Sequence, residues 1–112
     1  MEWVTIYKCL CDLTRLRILH LLTHGPLCVC HIQESLEESQ VKVSKHLAYL
    51  RRHGLIRRER KANWNVYHLI RDPAGLLDAN FKCLQNLKAE SRLFKNDLKR
   101  LANIETQLIC CE

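Results

Sequence analysis

The sequence predicts a mainly α-helical fold with one small β-hairpin, and three observations carry that expectation. The 112 residues include only 3 Gly and 2 Pro, too few for a loop-rich sandwich or a disordered chain. Apolar residues recur at helical spacing through most of the sequence. Residues 56–70 are the exception: two short stretches with strand character flank a polar turn. A chain of this length fits one domain with a modest core, so 1–112 is read as a single unit. No apolar run approaches the roughly 20 residues that span a bilayer, and Met1–Cys9 lacks a signal peptide's apolar segment. The expected protein therefore has no membrane partner and is cytoplasmic.

Asp12 suits a helix N-cap, and Leu13, Leu16, Ile18, Leu19 and Leu22 then form a broad apolar stripe. His24-Gly25-Pro26 ends that helix, because Gly tolerates a left-handed terminus and Pro cannot continue the ladder. A short helix around Val29–Leu36 and a turn at Glu37-Glu38 follow. Ser39 caps the next helix, about 39–53, whose inward face is Val43, Leu47 and Leu50 and which Gly54 closes. Strands at roughly Ile56–Arg60 and Asn65–Ile70, joined through Lys61–Trp64, make the hairpin of about 56–70. Pro73 suits a helix start, and Leu76, Leu77, Phe81, Leu84 and Leu87 give that helix its stripe. Ser91 caps a last helix with Phe94, Leu98, Leu101 and Leu108. This order, helix, short helix, turn, helix, hairpin, then one or two helices over about 73–108, is that of a winged helix-turn-helix.

The charge is concentrated where such a fold would meet a polyanion. The formal net charge is +6, yet residues 39–71 hold nine Lys/Arg against Glu59 alone. The excess positive charge belongs to that segment, which points to double-stranded DNA. In a helix-turn-helix the second helix enters the major groove and reads bases from its first turns. With Val43, Leu47 and Leu50 inward, Ser39, Gln40, Lys42, Ser44 and Lys45 remain outside at its start. Gln pairs with adenine, Lys reaches guanine or phosphate, and Ser serves either edge. His46 and Arg51 lie further along, where phosphate is the expected contact. Arg58, Arg60, Lys61 and Asn63 of the hairpin suit phosphates or the minor groove. Trp64 and Tyr67 are read as covering the hairpin.

Leu10-Cys11-Asp12-Leu13-Thr14-Arg15-Leu16-Arg17-Ile18-Leu19, Leu27-Cys28-Val29-Cys30, Ser39–Leu47 and Leu50–Ile56 together resemble the ArsR/SmtB family of metal-responsive repressors. The resemblance covers about residues 5–72. It implies a homodimer on an operator of dyad symmetry, released when a metal or metalloid ion binds. Leu13 departs from the family pattern, which usually has Pro there. Leu27–Cys30 is similar to the arsenic-sensing box of the arsenical repressors, which implies Cys28 and Cys30 as ligands. That box has another Cys three residues later, where this sequence has Gln33.

As(III) and Sb(III) prefer three thiolates, and soft thiolate sites also take Cd(II), Pb(II) or Zn(II). Residues i and i+2 lie about 200° apart around a helix, so an ion held by Cys28 and Cys30 is expected to distort the helix they begin. The third ligand stays open: Cys110, Cys111, Cys9, Cys11, a small thiol or water. Cys9, Cys11 and Cys83 are read chiefly as core thiols. Cys110 and Cys111 are candidate ligands, since a terminal thiol pair adds little to a core. The family's zinc and nickel sensors use a carboxylate and His residues on the last helix, and no His follows His68 here. His20 and His24 share a helix face without making a convincing site, and His31 beside Cys30 keeps Cd/Zn sensing in play.

No Gly-rich phosphate loop, evident carboxylate pair or Cys-x-x-Cys at a helix start is present, so the chain is not read as an enzyme and takes no organic cofactor. The expected function is a homodimeric repressor released from its operator by As(III) or Sb(III). The alternatives are a Cd/Pb/Zn-responsive or thiol-redox-responsive repressor of the same fold. Dimerisation is expected through the first helix and the helix from Pro73, extended or backed by the last one.

Overall fold

The computed structural model describes residues 3–71, 75–86 and 92–106. Among the described residues six helices and three strands follow in the order α1 (Trp3–Leu10), α2 (Leu13–Leu22), β1 (Leu27–Cys28), α3 (Val29–Leu36), α4 (Gln40–Arg52), β2 (Ile56–Lys61), β3 (Trp64–Leu69), α5 (Leu76–Asn86) and α6 (Arg92–Thr106). The mainly helical winged helix-turn-helix is borne out, with two additions. Helix α1 precedes the helix that Asp12 caps, which is the first one read from the sequence. The hairpin gains a third strand, so the antiparallel sheet runs β1-β3-β2. Two-residue β1 leaves no periodic trace in the sequence, and its pairing with β3 is long-range.

Helix α2 is the hub. Its residues from Arg17 to Leu22 are all buried, because α3, α4, α5 and α6 all pack around it. Asp12 starts it as expected, accepting from the Arg15 backbone N–H at 3.0 Å. Helix α3 ends with Glu37 in the left-handed region (φ 55°). There the Glu38 N–H reaches the Gln33 carbonyl at 3.3 Å, a Schellman closure built on a residue other than Gly. The same motif closes α4 with Gly54 (φ 81°), where Gly54 N–H bonds Arg51 O and Leu55 N–H bonds Leu50 O.

The first strand of the hairpin runs one residue further than the sequence suggests, and the second is shifted by one residue toward the turn. Lys61 pairs with Trp64, which leaves Ala62 and Asn63 as a two-residue turn with Ala62 at φ 54°. Helix α6 folds back onto α3 and α2, burying Phe94, Leu101 and Ile104 as an amphipathic helix must. Leu98 packs against the core from a half-buried position. Pro73, Leu87, Ser91 and Leu108 lie outside the described residues. Among the described residues no helix is long and apolar enough to cross a membrane.

Candidate DNA interface and thiol site

Helix α4 presents two opposite faces. Ser39 caps it, its Oγ accepting from the Lys42 backbone N–H at 3.2 Å. Val43, Leu47 and Leu50 are fully buried, anchoring the helix against α2 and α3. Gln40, Val41, Lys42, Ser44, Lys45, Ala48, Arg51 and Arg52 are exposed. The face expected to carry Ser39, Gln40, Lys42, Ser44 and Lys45 is therefore the solvent face. Lys42 is engaged there, its Nζ 2.7 Å from Glu38 Oε2, and that hydrogen bond holds the Glu38 carboxyl below its ordinary range.

His46 sits apart from this face. Its side chain is 13% exposed and its Nε2 lies 3.9 Å from Asp12 Oδ1. Burial pushes its pKa down, against the pull of Asp12 and with the repulsion of Arg15, Lys42 and Lys45. Burial also disfavours the Asp12 carboxylate, but the Arg15 and Thr14 backbone N–H groups and the charges of His46 and Arg15 hold it below the ordinary value. His46 thus links the α4 surface to the start of α2. Beside it runs a groove of about 880 Å³ edged by Arg15, Lys45, Arg51 and Arg52. The Arg15 guanidinium lies 4.2 Å from the Tyr49 ring centroid and that of Arg52 5.4 Å.

The wing distributes its cations over both faces. Arg58 and Arg60 are two apart and share one face; Lys61 lies on the other with Glu59, 3.8 Å away. Glu59 also meets His68 Nε2 at 3.0 Å. Asn63 is exposed at the tip. Tyr67 packs against the core and Trp64 is half-buried, in keeping with a covering role. Sequence reasoning does not single out Val41, Arg15 or Arg52. Arg15 lies outside the basic segment, and Val41 lacks the hydrogen-bonding groups by which base readers are sought.

The cysteines divide differently from the sequence expectation. Cys28 does not enter the helix: it ends β1 opposite Val66 and is the N-cap of α3 with extended backbone (φ −85°, ψ 163°). The helix begins at Val29 as expected, so of the two thiols only Cys30 lies in it, and the separation of about 200° that a shared helix would impose does not apply to the pair. Cys28 is buried, whereas Cys30, in the first turn of α3, is half-buried and disulfide-bonded. Cys110 and Cys111 lie outside the described residues. Cys9 is buried as expected, and burial raises its pKa. Cys11 and Cys83 are exposed rather than core residues. Cys11 occupies the bend between α1 and α2, and on α5 the buried direction is taken by Phe81, two residues and about 200° away. His20 and His24 meet edge-on with centroids 5.2 Å apart. Among the described residues no three His, Cys, Asp or Glu side chains cluster closely enough to hold a metal ion.

Residues 12–58 match the family model described as "Bacterial regulatory protein, arsR family". The chain is 38% identical over 100 residues to the arsenic resistance transcriptional regulator ArsR1 of Pseudomonas putida, covering 88% of this chain and 77% of that one. It belongs to the ArsR family. The arsenical resistance operon repressor of Escherichia coli K12 is also 38% identical, over 73% of this chain and 74% of its own. Among solved structures, reduced HlyU from Vibrio cholerae superposes with a TM-score of 0.69 at 32% identity, over 78% of this chain and 88% of that one. As a member of that family the chain is a DNA-binding transcription regulator.

Proposed function

We propose that this ArsR-family regulator is a homodimeric, cytoplasmic repressor of a metalloid-resistance operon, released from a dyad operator when As(III) or Sb(III) binds Cys28 and Cys30. The third ligand is drawn from Cys110, Cys111, Cys9, Cys11, a small thiol or water. The observation that carries this reading is the double position of Cys28, at once the end of a strand paired with the wing and the N-cap of α3. A soft ion drawing that thiolate toward Cys30 pulls on the wing through β3 and on the helix that braces α4. DNA contact then falls to Ser39, Gln40, Lys42, Ser44 and Lys45 from α4 and to Arg58, Arg60, Lys61 and Asn63 from the wing, with His46 positioning α4. The named regulators of arsenic resistance among its relatives support the inducer class.

The disulfide at Cys30 sets a condition on this reading, because only a thiolate ligates the ion. It also favours a second one, in which oxidation of Cys30 itself changes operator affinity. Titration of the protein–operator complex with arsenite, antimonite, cadmium, zinc and peroxide separates the two. Under reducing conditions arsenite or antimonite should release DNA at the lowest concentration. Release by peroxide alone would transfer the assignment to redox sensing.

The first helix of the sequence reading is α2, which is buried within its own chain, so in this proposal α1 takes its place beside α5 in the dimer. Trp3, Val4 and Tyr7 of α1 are 68%, 54% and 46% exposed, while α6 turns its buried face onto α2 and α3 of its own chain.

A further inference from the structure

Val41 is the most solvent-exposed of the large apolar residues described, at 80%. It is the second residue of α4, in the turn that a reading helix advances into the groove. Ser44, Lys45 and Ala48 follow it at helical spacing, all exposed, on the side opposite Val43, Leu47 and Leu50. A β-branched residue is a poor helix former, and at this exposure it packs against nothing that would offset the cost. The other exposed large apolar residues belong to α1 and the first position of α2. Val41 instead stands between Gln40 and Lys42 and one turn from Lys45. A lone isopropyl group among cations is a poor patch for a protein partner.

We propose that Val41 reads the 5-methyl group of a thymine in each operator half-site. The inference rests on α4 being the helix that enters the major groove. In that groove the thymine methyl is the one strongly apolar feature that a base pair offers, and apolar side chains recognise it by contact. Gln40 and Lys45 hydrogen-bond, whereas Val41 excludes water from one methyl and discriminates thymine from cytosine at that position.

The test uses a duplex selected by the wild-type protein from random-sequence DNA. Each thymine of a half-site is replaced in turn by deoxyuridine, which removes the methyl and leaves base pairing intact. For wild type, one thymine position per half-site should lose about fourfold in affinity on replacement, the worth of one buried methyl-sized group. Val41→Ala should bind the thymine and uracil duplexes equally, and Val41→Thr, which keeps a methyl, should retain the discrimination. No sensitive thymine in wild type, or the same sensitivity in Val41→Ala, would overturn the proposal. A purely structural role for Val41 would weaken both duplexes alike and leave their ratio unchanged, which also overturns it. Gln40→Ala and Lys45→Ala report on the underlying reading: wild-type affinity in both would remove α4 from the groove, independently of Val41.

Discussion

Arg17 grips Asp97 through a two-point fork, with Nε 3.0 Å from Oδ2 and Nη2 2.9 Å from Oδ1. The pair joins α2 to α6 with side chains only 10% and 0% exposed. The Asp97 hydrogen bonds raise the Arg17 pKa above its ordinary value. Both arginines around Asp97 also serve the end of α3. Arg17 Nη2 donates to Leu36 O at 2.9 Å and Arg100 Nε to Ser35 O at 2.6 Å. These carbonyls fall in the last turn of a helix, where no intrahelical partner exists and a cation is favoured. The last helix therefore holds the turn that aims α4.

Asp97→Ala leaves the Arg17 guanidinium buried without its counter-charge. Loss of one partner of a buried pair costs about 3–5 kcal/mol, so the urea midpoint should fall sharply. A loss under about 1 kcal/mol would mean that α6 does not hold this contact in solution.

Leu13 is 58% exposed at the first position of α2, and Asp12 before it is already extended (φ −147°, ψ 128°). Proline is tolerated at a first helical position and requires an extended residue ahead of it. Leu13→Pro should therefore stabilise the fold by about 0.4–1 kcal/mol, through a less flexible unfolded chain. Destabilisation in a denaturant titration would contradict the placement of the helix start.

The lowered pKa of His46 fixes the sign of a pH effect. Its neutral form is favoured in the fold, so its contribution is full above the ordinary imidazole pKa of about 6.5. It is lost as pH falls from there through the lower folded value. Asp12, also lowered, loses its contribution only below the ordinary carboxylate range. Stability measured from neutral pH to about 5 should thus decline more steeply for wild type than for His46→Gln. Equal slopes would show that the imidazole is not buried beside Asp12.

On DNA, Gln40→Ala and Lys45→Ala should each weaken specific binding by about 1–3 kcal/mol if each reads a base. Arg58→Ala and Arg60→Ala should weaken all sequences alike and each reduce the salt slope by about 1. Anisotropy titrations across a salt series distinguish the two patterns. An unchanged salt slope in both wing variants would take Arg58 and Arg60 off the phosphates.

Much of this frame is local and therefore legible in the sequence. Asp12 and Ser39 cap the helices they precede, Val43, Leu47 and Leu50 bury one face, and Gly54 closes α4, each a choice made within a turn or two of chain. What escapes is set by distant partners. Strand β1 exists because Leu27 and Cys28 meet Tyr67 and Val66, and that pairing keeps Cys28 out of the helix. Arg17 is buried only because Asp97 arrives from 80 positions away. Cys83 reads as core within an apolar stripe, yet Phe81 decides which side of α5 faces inward.

The central claim is that Cys28 and Cys30 couple a soft ion to operator release. The most direct measurement is fluorescence anisotropy of the operator complex, titrated with arsenite under reducing conditions, for wild type, Cys28→Ser and Cys30→Ser. Arsenite should release the wild-type complex and leave both variants bound, with operator affinity before addition unchanged in all three. Release of both variants at the wild-type arsenite concentration would contradict the account.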